Sequence, residues 1–175
     1  MKKLLLSTLV VSSLGLASQF AAAADGTITF NGQVTSNTCT INGGTPDFTV
    51  TLPTVAAGTL SASGNTAGRT SFNIALTSCT GSSAHTYFEA GPTTDSAGRL
   101  MLTTGSTASN VQIQLLNGSD QTLVKAGFAD ASQNSLSASI SGGSATLTYY
   151  AEYYATGAAG AGSANSSVMY TIAYN

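Results

Sequence analysis

Apolar and polar positions alternate along most of the chain after residue 24, which is how strands of a half-buried sheet read. The cleanest run is the last one. Val168, Tyr170, Ile172 and Tyr174 fall on alternate positions, with Met169, Thr171 and Ala173 between them. Four large groups share one face, and a terminus that carries them is expected to dock rather than fray. Near the other end, Ile28, Phe30 and Val34 share a face with Gly26 and Gly32, opposite Thr27, Thr29, Asn31 and Gln33. This segment predicts a half-buried strand, placed ahead of the first cysteine where it could swing free. Thr40 and Ile41 continue it beyond Cys39.

Residues 42–46 are turn chemistry, and Phe48, Val50 and Leu52 alternate in a predicted strand over 47–52 that Pro53 ends. Residues 55–68 read as loop. Phe72, Ile74 and Leu76 alternate again, and Cys79 falls out of their phase, so a bulge or bend is expected near Ser78. Shorter strands are expected at 87–89, 100–103, 111–115 and 123–124. In 147–154, Leu147, Tyr149, Ala151 and Tyr153 form one row and Tyr150, Glu152 and Tyr154 the other. Aromatics on both faces predict a central strand covered on both sides. Residues 157–162 are a small-residue turn into the last strand. No amphipathic helix of useful length follows residue 24. The class is all-β, a sandwich of immunoglobulin-like type, here without tryptophan.

The first residues have another explanation. Lys2 and Lys3 precede a short apolar run, and four alanines at 21–24 supply a cleavage site. Residues 1–23 are read as a secretory signal peptide, too short for a spanning helix. A cut after Ala24 is equally legible. The remaining chain of about 150 residues suits one domain with one core. All seven acids stay in it and only three cations (Arg69, Arg99 and Lys125), for a net charge of −4. That balance excludes a nucleic-acid footprint and argues against attachment to anionic lipid. Only 7% of all residues are charged, so self-repulsion is weak and association easy. Cys39 and Cys79 are the only cysteines, and export to an oxidising compartment makes a disulfide the expected state, with two free thiols as the alternative. One His and two Cys at this spacing match no zinc pattern. His85 has no triad or metal-ligand pattern around it, and Asp95, Asp120 and Asp130 sit among turn residues. No catalytic residue, cofactor or metal is therefore assigned.

Four stretches in order carry a resemblance to the subunits of chaperone–usher fimbriae of the type 1 pilin group. Residues 24–34 (A-D-G-T-I-T-F-N-G-Q-V), followed shortly by Cys39, resemble that family's N-terminal extension. Residues 72–79 resemble its F-x-I-x-L-x-x-C strand, and 149–157 its aromatic Y-x-A-x-Y-x-A-T-G stretch. Gly162 and Tyr174 stand where the family carries a glycine fourteen residues from the end and a penultimate tyrosine. The similarity covers essentially all of the chain after the leader.

The resemblance implies a pilin fold: an incomplete immunoglobulin-like β-sandwich that lacks its last strand and is completed by donor-strand exchange. It implies a donor extension over 24–36 (Gly26, Ile28, Phe30, Gly32, Val34) ahead of a pilin domain over 37–175. The acceptor groove would be walled by the C-terminal strand (Gly162, Val168, Tyr170, Ile172, Tyr174). Gly26 departs from the bulkier residue often found at the first donor position. Implied partners are neighbouring pilin subunits, a periplasmic chaperone that lends a strand, and an outer-membrane usher, with no direct membrane anchor. The function expected is structural: the major shaft subunit of a cell-surface fimbria supporting adhesion. A minor adaptor or tip subunit, or a small secreted carbohydrate-binding module, are the alternatives.

Overall fold

The computed structural model describes residues 26–32, 34 and 38–174, which fall in two units, Met1–Val34 and Thr35–Asn175. The predicted signal peptide, its cleavage site, Gln33 and the boundary near residue 36 lie outside the described residues. In the first unit, the described part of the predicted N-terminal strand is not a strand, and its apolar row faces solvent: Ile28 is 79%, Phe30 87% and Val34 101% exposed. An alternating pattern gives an extended segment its two faces, but a strand also needs a ladder partner.

The second unit is built from two antiparallel sheets. Its strands are β1 (Thr40–Ile41), β2 (Thr66–Thr77), β3 (Ser83–Phe88), β4 (Ser109–Asn117), β5 (Leu123–Val124), β6 (Ala138–Ser139), β7 (Ala145–Gly160) and β8 (Tyr170–Tyr174). One sheet has the order β1-β2-β7-β4-β5 and the other β6-β3-β8. Inward rows come from both: Ile74 and Leu76 of β2, Leu147, Tyr149 and Ala151 of β7, Ile113 and Leu115 of β4, and Val124 of β5. These meet Ala84 and Phe88 of β3 and Ile172 of β8. Burial of such side chains contributes about 1.5–3 kcal/mol each, and this two-sheet core is what the alternation encodes.

Several boundaries differ from the sequence reading. β2 begins at Thr66, inside the predicted loop, with a register shift between Ala67 and Thr70. Gly68 sits there at φ +71, and a Cβ would lie 3.0 Å from the Tyr153 ring. β7 runs on to Gly160 through the predicted small-residue turn, because Ser109 of β4 pairs with Gly160. The strand expected at 100–103 reduces to bridges from Leu100 to Thr94 and Ile113. The strand expected over 47–52 has no ladder at all. The bend near Ser78 is present as a left-handed residue, φ +54, and it turns Cys79 into a disulfide with Cys39.

β7 is central, yet its outer face carries no second sheet. Tyr150 and Tyr154 are half-buried, and Glu152 between them is 2% exposed under long side chains. Arg69 donates to it through Nε (2.7 Å) and Nη2 (3.2 Å), and the Gln114 amide through Nε2 (2.6 Å). The Arg99 guanidinium lies 3.7 Å above the Tyr154 ring. Hydrogen bonding to Glu152 outweighs desolvation and raises the Arg69 pKa further.

The short helix α1 (Asp130–Gln133) packs beside β3 and serves its end. Gln133 is fully buried and acts as a stand-in strand for the end of β3: its Oε1 accepts from Phe88 N–H (2.9 Å) and its Nε2 donates to Phe88 C=O (2.6 Å). Gln133→Ala leaves the Phe88 N–H buried without a partner, while its C=O keeps Gly127 N–H at 3.0 Å, and a stability loss of about 1–3 kcal/mol is expected in urea unfolding. A loss under about 0.5 kcal/mol would mean that water reaches Phe88.

Candidate functional site

Strand β8 is the site's first wall. It pairs with β3 on one side, from Ala84↔Tyr174 to Phe88↔Tyr170, and is the last strand of its sheet on the other. The free side carries unpaired backbone groups, an edge that proteins ordinarily shield. Tyr170, Ile172 and Tyr174 point inward as the alternation predicts. Ile172 is buried, and the two tyrosines and Val168 are half-buried against the core. The strand itself starts at Tyr170, so Val168 lies just before it.

The second wall was legible only in part. It is the segment from Cys39 to Leu52, at the β1 edge of the larger sheet. β1 is anchored to β2 by Thr40↔Thr77 and Ile41↔Leu76, and Asn42 Oδ1 accepts Ala75 N–H at 2.8 Å. After the 3-10 turn Asn42–Gly44, residues 47–52 run on without a hydrogen bond of their own. Phe48 is exposed, and Val50 and Leu52 are half-buried. The predicted strand is thus a second unpaired edge, lying across from the first.

Aromatic rings form the floor. Phe48 contacts Tyr170 edge-on (6.3 Å between centroids) and Phe72 (6.0 Å), Phe72 contacts Tyr149 (5.7 Å), and Tyr149 meets Phe88 in a T-shape (5.2 Å). Two hydroxyls bridge the walls. Cys39 N–H donates to the Tyr174 oxygen at 3.1 Å, and the Tyr170 hydroxyl donates to Pro46 C=O at 2.7 Å. Burial, and next the charge of Asp47, raise the Tyr170 phenol above its ordinary pKa. The arrangement is an apolar cleft floored by rings and flanked by two sheet edges. Two facing unpaired edges are the general setting in which an extended peptide adds as a strand.

Gly162 stands apart from these tyrosines. It lies in the connector between β7 and β8, beside a cleft of about 330 Å³ that Leu60, Val111 and Tyr153 help to line. A Cβ there would sit 2.3 Å from the Ala108 nitrogen, so only glycine permits this approach. The connector is pinned to 101–108 by serine and threonine groups. Thr107 N–H and Ala108 N–H both reach Ser163 C=O (3.0 Å each), Thr103 N–H reaches Asn165 C=O (2.8 Å), and Ser166 Oγ reaches Met101 C=O (2.7 Å). The sequence signal for this zipper was only hydroxyl richness. Of the other residues weighed, His85 lies on the outer face of the smaller sheet with Nε2 2.8 Å from Asp130 Oδ1, and Asp95 and Asp120 cap turns. Among the described residues, no three metal-ligating side chains cluster and no helix is long and apolar enough to cross a membrane.

A two-sheet sandwich that ends on an unpaired C-terminal edge is an immunoglobulin-like fold of the pilin class. Residues 52–175 match the family model of FimA, type-1 fimbrial protein, A, and the chain belongs to that family of structural fimbrial subunits, displayed at the cell surface. It is 52% identical to the major fimbrial subunit SMF-1 of Stenotrophomonas maltophilia (strain K279a), over 93% of this chain and 99% of that one. It is 44% identical to the F17 fimbrial protein of Escherichia coli, over 94% and 96%. Among solved structures, a type I fimbria protein of Burkholderia pseudomallei superposes with a TM-score of 0.55 at 30% identity, covering 77% of this chain and 87% of that one. The P pilus rod subunit PapA superposes with a TM-score of 0.61 at 14% identity, covering 78% and 99%, a likeness of fold.

Proposed function

We propose that this chain is the major shaft subunit of its fimbria and that it polymerises by donor-strand exchange. The extension over residues 24–36 of one copy adds to the free edge of β8 in the next. The observation that carries the reading is the pairing of two incomplete halves in one chain: an exposed apolar row (Ile28, Phe30, Val34) that forms no strand, and an inward-facing row (Tyr170, Ile172, Tyr174) whose strand lacks a neighbour on one side. A head-to-tail contact of this kind does not close, so repetition makes an open filament. Burial of three donor side chains contributes about 1.5–3 kcal/mol each, and each new ladder hydrogen bond about 0.5–1.5 kcal/mol net. Until a neighbour arrives, the free edge needs shielding, which is the role of a periplasmic chaperone strand; an outer-membrane usher is then the place of exchange. The major role is supported by the high identity to a relative named as a major subunit and by the low charge, which favours dense packing of like copies. A filament of such subunits at the surface supports adhesion of the cell.

The test is an electrophoretic ladder. Fimbriae sheared from cells are expected to run as multimers that survive detergent at room temperature and collapse to monomer on boiling. An excess of synthetic peptide of residues 24–36 is expected to cap subunits and shorten the ladder. Multimers whose length ignores the peptide would refute strand exchange.

A further inference from the structure

Two phenols span the open side of the sandwich. Tyr170 and Tyr174 rise from the same row of β8, four residues and therefore about 13 Å apart. Their oxygens land on the opposite wall at Pro46 C=O and Cys39 N–H. Cys39 is already fixed by its disulfide and by the start of β1. Pro46 is not, and it begins the one stretch of the wall, 47–52, that makes no hydrogen bond of its own. Its attachments across the cleft are the Tyr170 hydroxyl and the Phe48 ring. An untied wall has two ways to lose a strand-shaped space: it drifts outward, or it collapses onto the ring floor. Both leave a cleft that must be rebuilt before a strand can enter.

We propose that Tyr170 and Tyr174 are positioning struts, whose hydroxyls hold the two walls of the empty cleft at the spacing an incoming strand needs. The inference rests on the donor-strand reading above and goes beyond it by assigning the hydroxyls a kinetic role. Once a donor strand is in place, its own ladder holds the walls and the hydroxyls matter little. They act on the rate of capture, not on the lifetime of the finished joint. Burial and Asp47 keep the Tyr170 phenol protonated through the neutral range, so the strut is a hydrogen-bond donor under ordinary conditions.

The experiment uses the full-length exported chain as purified monomer and a fluorescent synthetic peptide of residues 25–36 in excess. Tyr170→Phe, Tyr174→Phe and the double variant keep both rings and remove only the oxygens. In the double variant, the peptide's association rate is expected to fall about tenfold, the worth of one or two net hydrogen bonds. Its dissociation rate and the melting temperature of the filled subunit are expected to stay at wild-type values. In the empty subunit, amide hydrogen exchange at Cys39, whose N–H donates to the Tyr174 oxygen, is expected to rise about tenfold through Tyr174→Phe. Equal capture rates in wild type and double variant would overturn the struts alone. So would a filled-state melting temperature that falls as far as that of the empty subunit, which would make the hydroxyls ordinary stabilising contacts. Failure of the wild-type chain to capture the peptide would overturn the donor-strand reading and the struts with it.

Discussion

A chain carrying Phe30→Asp is expected to fold, reach the periplasm and accumulate as monomer, with no ladder of heat-sensitive multimers. Phe30 is 87% exposed in the free chain, so the substitution removes no native contact of consequence and the subunit's own stability is spared. The joint is a different matter. Burying a phenylalanine contributes about 1.5–3 kcal/mol, and burying a carboxylate without a partner costs several kcal/mol more. None of the described Lys and Arg side chains lies at the cleft to pair with it. Arg69 is bound to Glu152 and Arg99 lies on Tyr154, both on the outer face of the larger sheet, and Lys125 sits at the β5 end, the opposite edge of that sheet from β1. Asp47, beside Tyr170, adds repulsion. A loss of about 5 kcal/mol per joint lowers the association constant by more than three orders of magnitude.

The same variant separates a donor defect from a folding defect. Its acceptor cleft is untouched, so it can receive a strand without giving one. Mixed with wild-type chains, it is expected to end filaments and shorten them in proportion to its share. Length measured by electron microscopy against that share reads this directly. Full-length filaments from Phe30→Asp alone would place cohesion in surface packing between subunits and refute the joint described here.

Half of this site could be read from the residues alone, and the other half could not, for a physical reason. A row such as Val168, Tyr170, Ile172 and Tyr174 announces which way side chains face, because strand geometry has a period of two. The exposed row of Ile28, Phe30 and Val34 announces itself by the same rule. Neither tells which backbone edge is left without a neighbour; that is decided by sheet order, a long-range property. The segment at 47–52 illustrates the gap. Phe48, Val50 and Leu52 alternate as a strand should, yet the segment has no ladder partner in either sheet. Glu152 was visible as a lone carboxylate among tyrosines. That Arg69, eighty-three residues earlier, would cover it required the β2–β7 register. Gln133 gave no signal, since a glutamine in a polar run reads as surface until Phe88 is seen to need it.

The second large effect concerns the wall that bears the two tyrosyl contacts. Replacing Cys39 and Cys79 together by serine is expected to cost about 4 kcal/mol of stability, the loop-closure entropy of a crosslink across about 40 residues. That is a large fraction of the roughly 5–15 kcal/mol that holds a domain folded. The local consequence is sharper than the global one. β1 is only two residues long, and without the crosslink the wall depends on Thr40↔Thr77, Ile41↔Leu76, the Asn42 side chain and the hydroxyls of β8. The central ladder β2–β7–β4 does not use these contacts. The wall is therefore expected to peel before the sheet melts. In a urea titration of the double variant, capture of the 25–36 peptide should vanish at a lower concentration than the far-ultraviolet signal of the sheets, whereas in the oxidised wild type the two should be lost together. Wild-type chain reduced with dithiothreitol should reproduce the variant, which separates loss of the bond from the new serine hydroxyls. A midpoint shift worth less than about 1 kcal/mol, or coincident loss of capture and sheet signal in the variant, would mean that β1 and its side-chain contacts hold the wall unaided and that the crosslink is not what keeps the cleft ready for a strand.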